Sequence, residues 1–308
     1  MIYTEKTKRA IKFCFKAHAG QFDKSGIPYV QHPLHLAEQI LASDAEPARC
    51  IGAYCRDPYG CAYWDYCTAH LPKPSVFDLY RISFQKALEH YYNGKVSFAD
   101  MLSAPKLNDK QLRQIQFELT DCGNYIDKGG IQNFLNTLSY PIYFLDFETM
   151  QLVIPQFPGT KPYQQIPFQY SLHYIEEPGG ELKHKEFLAD ADDDNLIRNF
   201  AKSMIADMPE DGSVIVYNKA FEATRNKEIG EMYPEFKEDM ERFNANMVDL
   251  MVPFRERNYY TKEMEGSYSI KKVLPALYPD NPELDYSNLP LIHKGDEASE
   301  AFKNLKNK

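Results

Sequence analysis

The segment YPIYFLDFETM, residues 140–150, decides the fold of this 308-residue chain. Its first six residues are a continuous apolar run, which is typical of a central strand buried on both faces. Asp146 and Glu148 follow at the end of the run, and because side chains alternate along a strand, both carboxylates point to the same side of the sheet. The segment therefore predicts a buried strand that ends in two acidic side chains.

The residues after this segment predict an α/β fold. Alternating apolar and polar residues indicate a half-buried strand, a Pro-Gly-Gly turn leads from it to a partner strand, and the run GSVIVY indicates another buried strand. In chain order, the predicted elements are strands 168–174 and 182–188, a helix over 190–208, a strand at 212–217 and a helix over 219–230. This order is expected for an RNase H-like mixed sheet with flanking helices.

The N-terminal part is predicted to be mostly helical. Residues 44–70 differ, because they are rich in cysteine and tyrosine and lack the helical period. Apolar residues recur at helical spacing over 4–17, 33–42, 75–93 and 109–121. We therefore predict three segments: a helical fragment at 1–43, a cysteine-rich knob and helical region at 44–137, and the RNase H-like domain at 138–308.

Charge is distributed unevenly along the chain. The net charge is −9, of which residues 1–140 carry +2 and residues 141–308 carry −11. This balance excludes a basic nucleic-acid coat, whereas an acidic cleft that holds cations and a plainly solvated acidic surface both stay open. No apolar run approaches the roughly 20 residues of a membrane span, and the N-terminus lacks an apolar signal stretch. We expect a cytoplasmic protein that does not bind membranes, whose six cysteines are not paired as disulfides.

Glu222 supplies a third acid close to the same sheet edge. It lies in YNKAFE, residues 217–222, where the helix after the second buried strand begins. Carboxylates that meet at one edge can hold Mg²⁺ or Mn²⁺, which activate water and stabilise the leaving oxygen of a phosphodiester. The alternative is a pair of solvated strand-end acids and a helix-capping glutamate. The expected meeting of three acids favours the metal site.

Five unusual strings carry a family resemblance. They are LDFETM (145–150), TKPYQQIPFQYSLHY (160–174), VIVYNKAFEATR (214–225), VDLMVPFRERNYY (248–260) and GSYSIKKVLPALYP (266–279). Together they resemble the C-terminal part of an uncharacterised bacterial family, the domain of unknown function 2779, over about residues 50–308. That family looks like a fusion of a restriction-type nuclease, which carries an iron-sulfur cluster, with a DEDD-type exonuclease of RNase H-like fold.

The resemblance implies 3′ to 5′ hydrolysis of single-stranded nucleic acid. Its first motif matches Asp146 and Glu148, and its second matches Asn218, Phe221 and Glu222. The implied catalytic and metal-binding residues are Asp146, Glu148 and Glu222, with Mg²⁺ or Mn²⁺ as the cofactor. The implied substrate-binding residues are Asn218 and Phe221, to which the basic and aromatic composition of the following segments adds Arg225, Tyr268 and Lys271. Ordinary core packing is the alternative for the aromatic residues.

The family's last metal-binding Asp is expected beyond GDEASEAF, residues 295–302. Because the sequence ends at Lys308, we expect this Asp and its helix to be missing, and Asp285, Asp296 and Glu297 are the conceivable substitutes. The sequence therefore predicts a nuclease-like protein whose activity is open. The alternatives are a non-catalytic remnant that binds nucleic acid or protein, and a structural module built on a metal cluster.

Three cysteines, Cys55, Cys61 and Cys67, match the downstream three cysteines of the family's cluster motif. A [4Fe–4S] cluster needs a fourth ligand, for which Cys14 and Cys50 are candidates, and zinc could use His70 instead. An iron-sulfur cluster, a zinc ion and free thiols all stay open at these cysteines.

The stretch AIKFCFKAHAGQFDKSGIPYVQHPLHLAEQI, residues 10–40, resembles the opening helices of the HD hydrolase domain of bacterial alarmone synthetase/hydrolases. In that resemblance His32 is the first metal ligand. An HD site also needs a His-Asp pair, and none of the eight histidines is followed by Asp. We therefore expect a fragment of that domain without alarmone hydrolysis.

Overall fold

The computed structural model describes residues 5–22, 26–31, 33–35, 51–57, 59–120, 122–285, 288 and 295–305. The chain divides into two compact units, Met1–Leu71 and Pro72–Lys308. The predicted division of the chain into segments 1–43, 44–137 and 138–308 stays a prediction.

The described residues of the first unit contain two helices with known bounds, besides the helical residues 33–35. Helix α1 (Glu5–Ala17) confirms the first predicted helix, and α2 (Trp64–Thr68) lies within the cysteine-rich segment, after a 3₁₀ turn at Ala53–Cys55. Of the second predicted helix, 33–42, only residues 33–35 are described, and they are helical.

The second unit begins with short helices and one short strand. They are α3 (Phe84–Tyr92), α4 (Phe98–Met101), α5 (Asp109–Leu119), β1 (Tyr125–Ile126) and α6 (Lys128–Leu135). The prediction of one helix over 75–93 is wrong. Ser75 and Ser83 each act as an N-cap, so the stretch divides into a 3₁₀ turn at Val76–Asp78 and the separate helix α3.

The sheet follows, with helices between its strands. The elements are β2 (Ile142–Gln151), β3 (Gln165–Ile175), β4 (Lys183–Leu188), α7 (Leu196–Asp207), β5 (Ser213–Val216), α8 (Lys219–Met232), α9 (Lys237–Asn246), β6 (Met247–Asp249), α10 (Val252–Arg255), β7 (Tyr259–Tyr260), α11 (Ile270–Leu277) and α12 (Gly295–Leu305). The strand order is β4-β3-β2-β5-β6, and a two-stranded sheet pairs β1 with β7.

Strand directions agree with the predicted fold class. β2, β3 and β4 are antiparallel neighbours, whereas β5 runs parallel to β2 and β6 runs parallel to β5. The central strand is therefore β2, which carries Asp146 and Glu148. The prediction that these two acids end the strand is wrong, because pairing with β3 continues β2 to Gln151. A mixed α/β sheet with flanking helices is confirmed.

One face of this sheet carries the main hydrophobic core. Leu145, Phe147 and Leu172 lie in one buried cluster with Phe200 of α7 and Phe243 of α9. Their alternation leaves Asp146 on the opposite face, where its side chain reaches solvent. Within the part of the chain that the structure describes, no helix is long and apolar enough to cross a membrane.

Candidate acidic site at the sheet edge

Asp146 and Glu148 lie on the central strand beside an irregularity in its pairing. Asp146 faces Ser171 of β3 and Glu148 faces Gln169, and the register shifts between Glu148 and Thr149. An irregularity of this kind bends a strand and redirects the side chains next to it. The two acids therefore sit where β2 leaves its regular pairing.

The electrostatics of both side chains are perturbed by the surrounding protein. Asp146 is exposed on its face of the sheet, and burial raises the pKa of its carboxyl. Burial also raises the pKa of half-buried Glu148, the negative charge of Asp146 adds to this increase, and Lys271 opposes it. The charges of Asp146 and Lys271 therefore both act on Glu148.

Glu222 is the most buried acid of the site. It lies in the first turn of α8, is 3% exposed, and its Oε2 has no hydrogen-bond partner among the described residues. The pKa of this carboxyl is raised to about 7, mainly by burial and also by the negative charges of Asp146 and Asp249, whereas Arg225 opposes the increase. Asp146 thus interacts with both glutamates, across the neighbouring strands β2 and β5.

Asp249 is an acid that sequence reasoning missed. It ends β6, opposite Val216 of β5, and its side chain is 13% exposed. Its Oδ1 accepts hydrogen bonds of 3.0 Å from the backbone N–H groups of Asn218 and Met251. The only available signal was an Asp after two apolar residues, Met247 and Val248, which is too short a strand for a periodic pattern. Asp249 positions the turn at which α8 begins.

Asn218 provides that turn. Its backbone has φ +79° and ψ +63°, a left-handed conformation that Asn tolerates better than most residues. The side chain is exposed at the start of α8, while the neighbouring Phe221 is half-buried. The structure thus brings Asn218 to the same helix terminus as Glu222.

The other three predicted substrate-binding residues, Arg225, Tyr268 and Lys271, lie on different elements of the structure. Arg225 is 11% exposed, lies over the Phe221 ring and pairs with Glu228, with Nε 3.0 Å from Oε2. Its charge is therefore already used within α8. Tyr268 lies on a loop before α11, and Lys271 lies in the first turn of α11, near Glu148.

The start of α12 lies beside Glu148. A Cβ atom at Gly295 would be 3.0 Å from Glu148 Oε2, and Phe302 on the same helix stacks on Phe168 of β3, with ring centroids 4.1 Å apart. Asp296 and Glu297 belong to this first turn, whereas Asp285 follows a 3₁₀ turn at Pro282–Leu284.

No formed metal cage accompanies these placements. Over the described ranges, no three His, Cys, Asp or Glu side chains are grouped so that they could hold a metal ion. The acids lie within electrostatic reach of one another without forming a ready set of ligands. The predicted Mg²⁺ or Mn²⁺ site stays a prediction.

The predicted cysteine site belongs to the first unit. Cys55 is buried at the end of a 3₁₀ turn, and its carbonyl oxygen accepts a 2.9 Å hydrogen bond from the N–H of Cys61. Cys61 and Cys67 are half-buried, and neither Cys14 nor any of the three cysteines of the motif forms a disulfide among the described residues. His70 is exposed, while Cys50 and His32 lie outside the described residues.

Fold and site together define an α/β domain with acidic side chains at the edge of a mixed sheet. Residues 143–269 match the family model described as "Domain of unknown function (DUF2779)". This match agrees with the family resemblance that the sequence predicted, over residues 143–269.

One curated relative matches part of the chain. The "Uncharacterized protein UU173" of Ureaplasma parvum serovar 3 is 30% identical over 168 residues, which cover 52% of this chain and 24% of the relative. The chain thus spans about a quarter of that relative's length. No solved structure matches the chain.

Proposed function

We propose that the acidic edge is a divalent-metal-dependent phosphodiesterase site that acts from the 3′ end of single-stranded nucleic acid. The observation that carries the proposal is the carboxylate of Glu222. It is 3% exposed, one of its oxygens has no partner within the described part of the chain, and the charge of Asp146 repels it. A buried carboxylate in this state is unfavourable, and a bound cation would remove the penalty.

The chemistry of the donors fits Mg²⁺ or Mn²⁺. Asp146, Glu148 and Glu222 offer only carboxylate oxygens, which these hard cations prefer. When bound, the metal would activate a water molecule and stabilise the leaving oxygen of a phosphodiester.

The chain's own residues have separate roles in this proposal. Glu222, with a pKa of about 7, can hold a proton at neutral pH when no cation is bound. Lys271, whose charge reaches Glu148, can attract a substrate phosphate. Asp249 holds the backbone of Asn218 and so fixes the helix terminus that carries Glu222.

A cleavage assay tests the proposal. A 5′-labelled single-stranded oligonucleotide is incubated with Mn²⁺ and either the wild type, Asp146→Ala or Glu222→Gln. We expect shortening from the 3′ end, and a rate at least about a hundredfold lower in both variants, which corresponds to roughly 3 kcal/mol of transition-state stabilisation. Glu231→Gln is the matched control, because Glu231 lies on the same helix with a side chain that is 66% exposed. Equal background rates in the wild type and Asp146→Ala would contradict the proposal.

The same assay separates a second candidate function, a non-catalytic protein that binds nucleic acid. The basic and aromatic side chains of Arg81 and Tyr268, which are in contact beside the acidic edge, favour it. It predicts salt-sensitive binding of the oligonucleotide without cleavage, and no response to Asp146→Ala.

A metal at Cys55, Cys61 and Cys67 is a separate proposal for the first unit. The backbone hydrogen bond between Cys55 and Cys61 brings those two residues together and supports it. Elemental analysis of protein purified without oxygen should then find iron or zinc, and Cys61→Ser should release it. Protein that lacks both metals would contradict the proposal.

A further inference from the structure

We propose that a cavity beside the acidic edge is a subsite for one nucleotide of a single-stranded nucleic acid, in which Arg81 and Tyr268 bind its base and phosphate. The choice of ligand rests on the proposed function. The cavity measures about 530 Å³, within the usual range of small-molecule sites. Its walls are the loop at 77–81, the end of β5 at Tyr217 and Asn218, and the loop at 265–270.

Arg81 and Tyr268 form the recognition pair. The guanidinium carbon of Arg81 lies 5.4 Å from the ring centroid of Tyr268 and 5.9 Å from that of Tyr80, and Nη2 donates to the Tyr268 hydroxyl. Arg81 is exposed, and it forms no ion pair with any carboxylate in the described ranges. The nearby charge of Glu256 is held by Lys110 at 3.0 Å. Arg81 therefore keeps donors for a phosphate, as stacked arginines do in nucleic-acid sites.

The loop that carries Arg81 is held rigidly. Arg81 itself has φ +46°, a conformation that is unfavourable for a residue other than glycine and that persists only when the surroundings impose it. Two buried glutamines of α5 do so, because Gln114 accepts from the N–H of Tyr80 at 2.7 Å and Gln111 donates to the Tyr80 carbonyl at 2.9 Å. These contacts preorganise the loop for binding.

A buried positive charge lies behind the same wall. Arg257 is 2% exposed and is sandwiched between the rings of Tyr80 and Tyr260, at 4.6 and 4.3 Å. Its Nη2 donates to the carbonyl of Gly266 at 2.7 Å, whereas Nε and Nη1 find no acceptor among the residues described. Tyr80 and Gly266 both line the cavity. An uncompensated cation directly behind the wall favours an anionic ligand.

The acids that line the cavity are already engaged. Asp78 accepts from the backbone and hydroxyl of Ser75, and Glu265 pairs with Lys272 at 2.7 Å. Arg81 therefore remains the charge available to a ligand.

Two residues connect the cavity to the acidic edge. Asn218 lines the cavity and is also the N-cap of the helix that carries Glu222. On the other side, Ile270 lines the cavity and is followed by Lys271, whose charge reaches Glu148. A strand whose scissile phosphate lies at the acids can therefore place an adjacent nucleotide against the contacting pair Arg81 and Tyr268. Segment 72–120, which precedes the RNase H-like sheet, would then supply one wall of the substrate site.

Fluorescence anisotropy with a labelled eight-residue oligothymidylate in EDTA tests the subsite without hydrolysis. We expect Arg81→Ala and Tyr268→Ala to weaken binding about tenfold or more, and Tyr268→Phe to retain most of the affinity because the ring remains. Arg198→Ala is the matched control, since Arg198 is an exposed arginine of α7 paired with Glu235. Circular dichroism and the melting temperature establish whether each variant is folded. If a variant is not folded, Arg81→Gln, a substitution at an exposed residue, is used in its place.

Wild-type affinity in Arg81→Ala or Arg81→Gln, or no binding by the wild type at millimolar protein, would overturn the subsite. The cleavage assay separates this failure from that of the proposed function. If binding depends on Arg81 but no Mn²⁺-dependent cleavage occurs, the subsite is supported and the phosphodiesterase is rejected. If cleavage occurs but binding does not depend on Arg81, the phosphodiesterase is supported and the subsite is rejected. Preference for a double-stranded competitor would also overturn the subsite.

Discussion

Glu222 couples the acidic site to the stability of the folded chain. Its pKa of about 7 lies above the ordinary value of 4.5, so the folded state binds this proton more tightly than the unfolded state does. The contribution of the group to stability is therefore complete below about pH 4.5 and is lost as the pH rises through about 7. At alkaline pH the buried charge opposes folding.

The variant Glu222→Gln tests this coupling, because glutamine is neutral at every pH. In EDTA, urea unfolding should show the variant and the wild type equally stable near pH 4.5, and the variant more stable at pH 8 by up to about 3 kcal/mol. If the variant and the wild type differed in the free energy of unfolding by the same amount at both pH values, the raised pKa of Glu222 would be contradicted.

Asn218 gives a prediction about backbone conformation. Because its φ is +79°, Asn218→Ala should cost about 1 kcal/mol in the free energy of unfolding, whereas Asn218→Gly should leave it nearly unchanged. Denaturant titrations of both variants measure the difference. If Asn218→Gly destabilised the protein as much as Asn218→Ala, the left-handed conformation would not explain why asparagine occupies this position.

If Asn218→Gly is well folded, a loss of nucleic-acid binding in this variant measures the contribution of the Asn218 side chain alone.

Sequence patterns located some residues of the site and missed others for identifiable reasons. Asp146 and Glu148 follow from a spacing of two on a buried strand, and Glu222 follows from its place after the next buried strand. Asp249 was not predicted as a site residue because a three-residue strand has no measurable period. Arg81 was not predicted because its position depends on contacts with α5 and with the loop at 265–270, which are far from it in the sequence.

At the scale of elements, the apolar run predicted the existence of β2 but not its length. The run ends at Leu145, whereas β2 continues to Gln151 because β3 pairs with it through Gln165. Hydrogen bonding to a neighbour thus extends a strand beyond its apolar residues. β3, β4 and β5 were longer or shorter than predicted by a few residues at their ends, which depend on the same pairing.

Gly212, the residue immediately before β5, tests how closely the starts of β5 and β2 approach each other. A Cβ atom there would lie 2.0 Å from the carbonyl oxygen of Pro141, immediately before β2. Backbone atoms cannot yield as flexible side chains do, so Gly212→Ala should reduce the free energy of unfolding by about 3 kcal/mol or more.

Gly129→Ala is the control for this substitution. Gly129 lies in α6 with its nearest neighbour at 3.5 Å from a Cβ, an ordinary contact, and alanine favours a helix by up to about 1 kcal/mol. Urea unfolding should show it as stable as the wild type or slightly more so. Wild-type stability in Gly212→Ala would show that β2 and β5 approach each other less closely than described.

At the scale of the whole molecule, the distribution of charge along the sequence agrees with the position of the acidic site in the fold. The segment 141–308, which carries the net charge of −11, also contains the sheet whose edge gathers Asp146, Glu148 and Glu222. Segment 72–120 belongs to the same compact unit and contributes the exposed cation Arg81 beside that edge. A cation between the acids and a phosphate beside Arg81 would complete this arrangement.

Direct measurement of Mn²⁺ binding by electron paramagnetic resonance tests the central claim, since bound Mn²⁺ loses the six-line signal of the aqueous ion. The account predicts that the wild type and the control Glu231→Gln remove this signal at matched concentrations, and that Asp146→Ala and Glu222→Gln leave most of it. Identical titrations for the wild type and Asp146→Ala would contradict a metal site at the sheet edge.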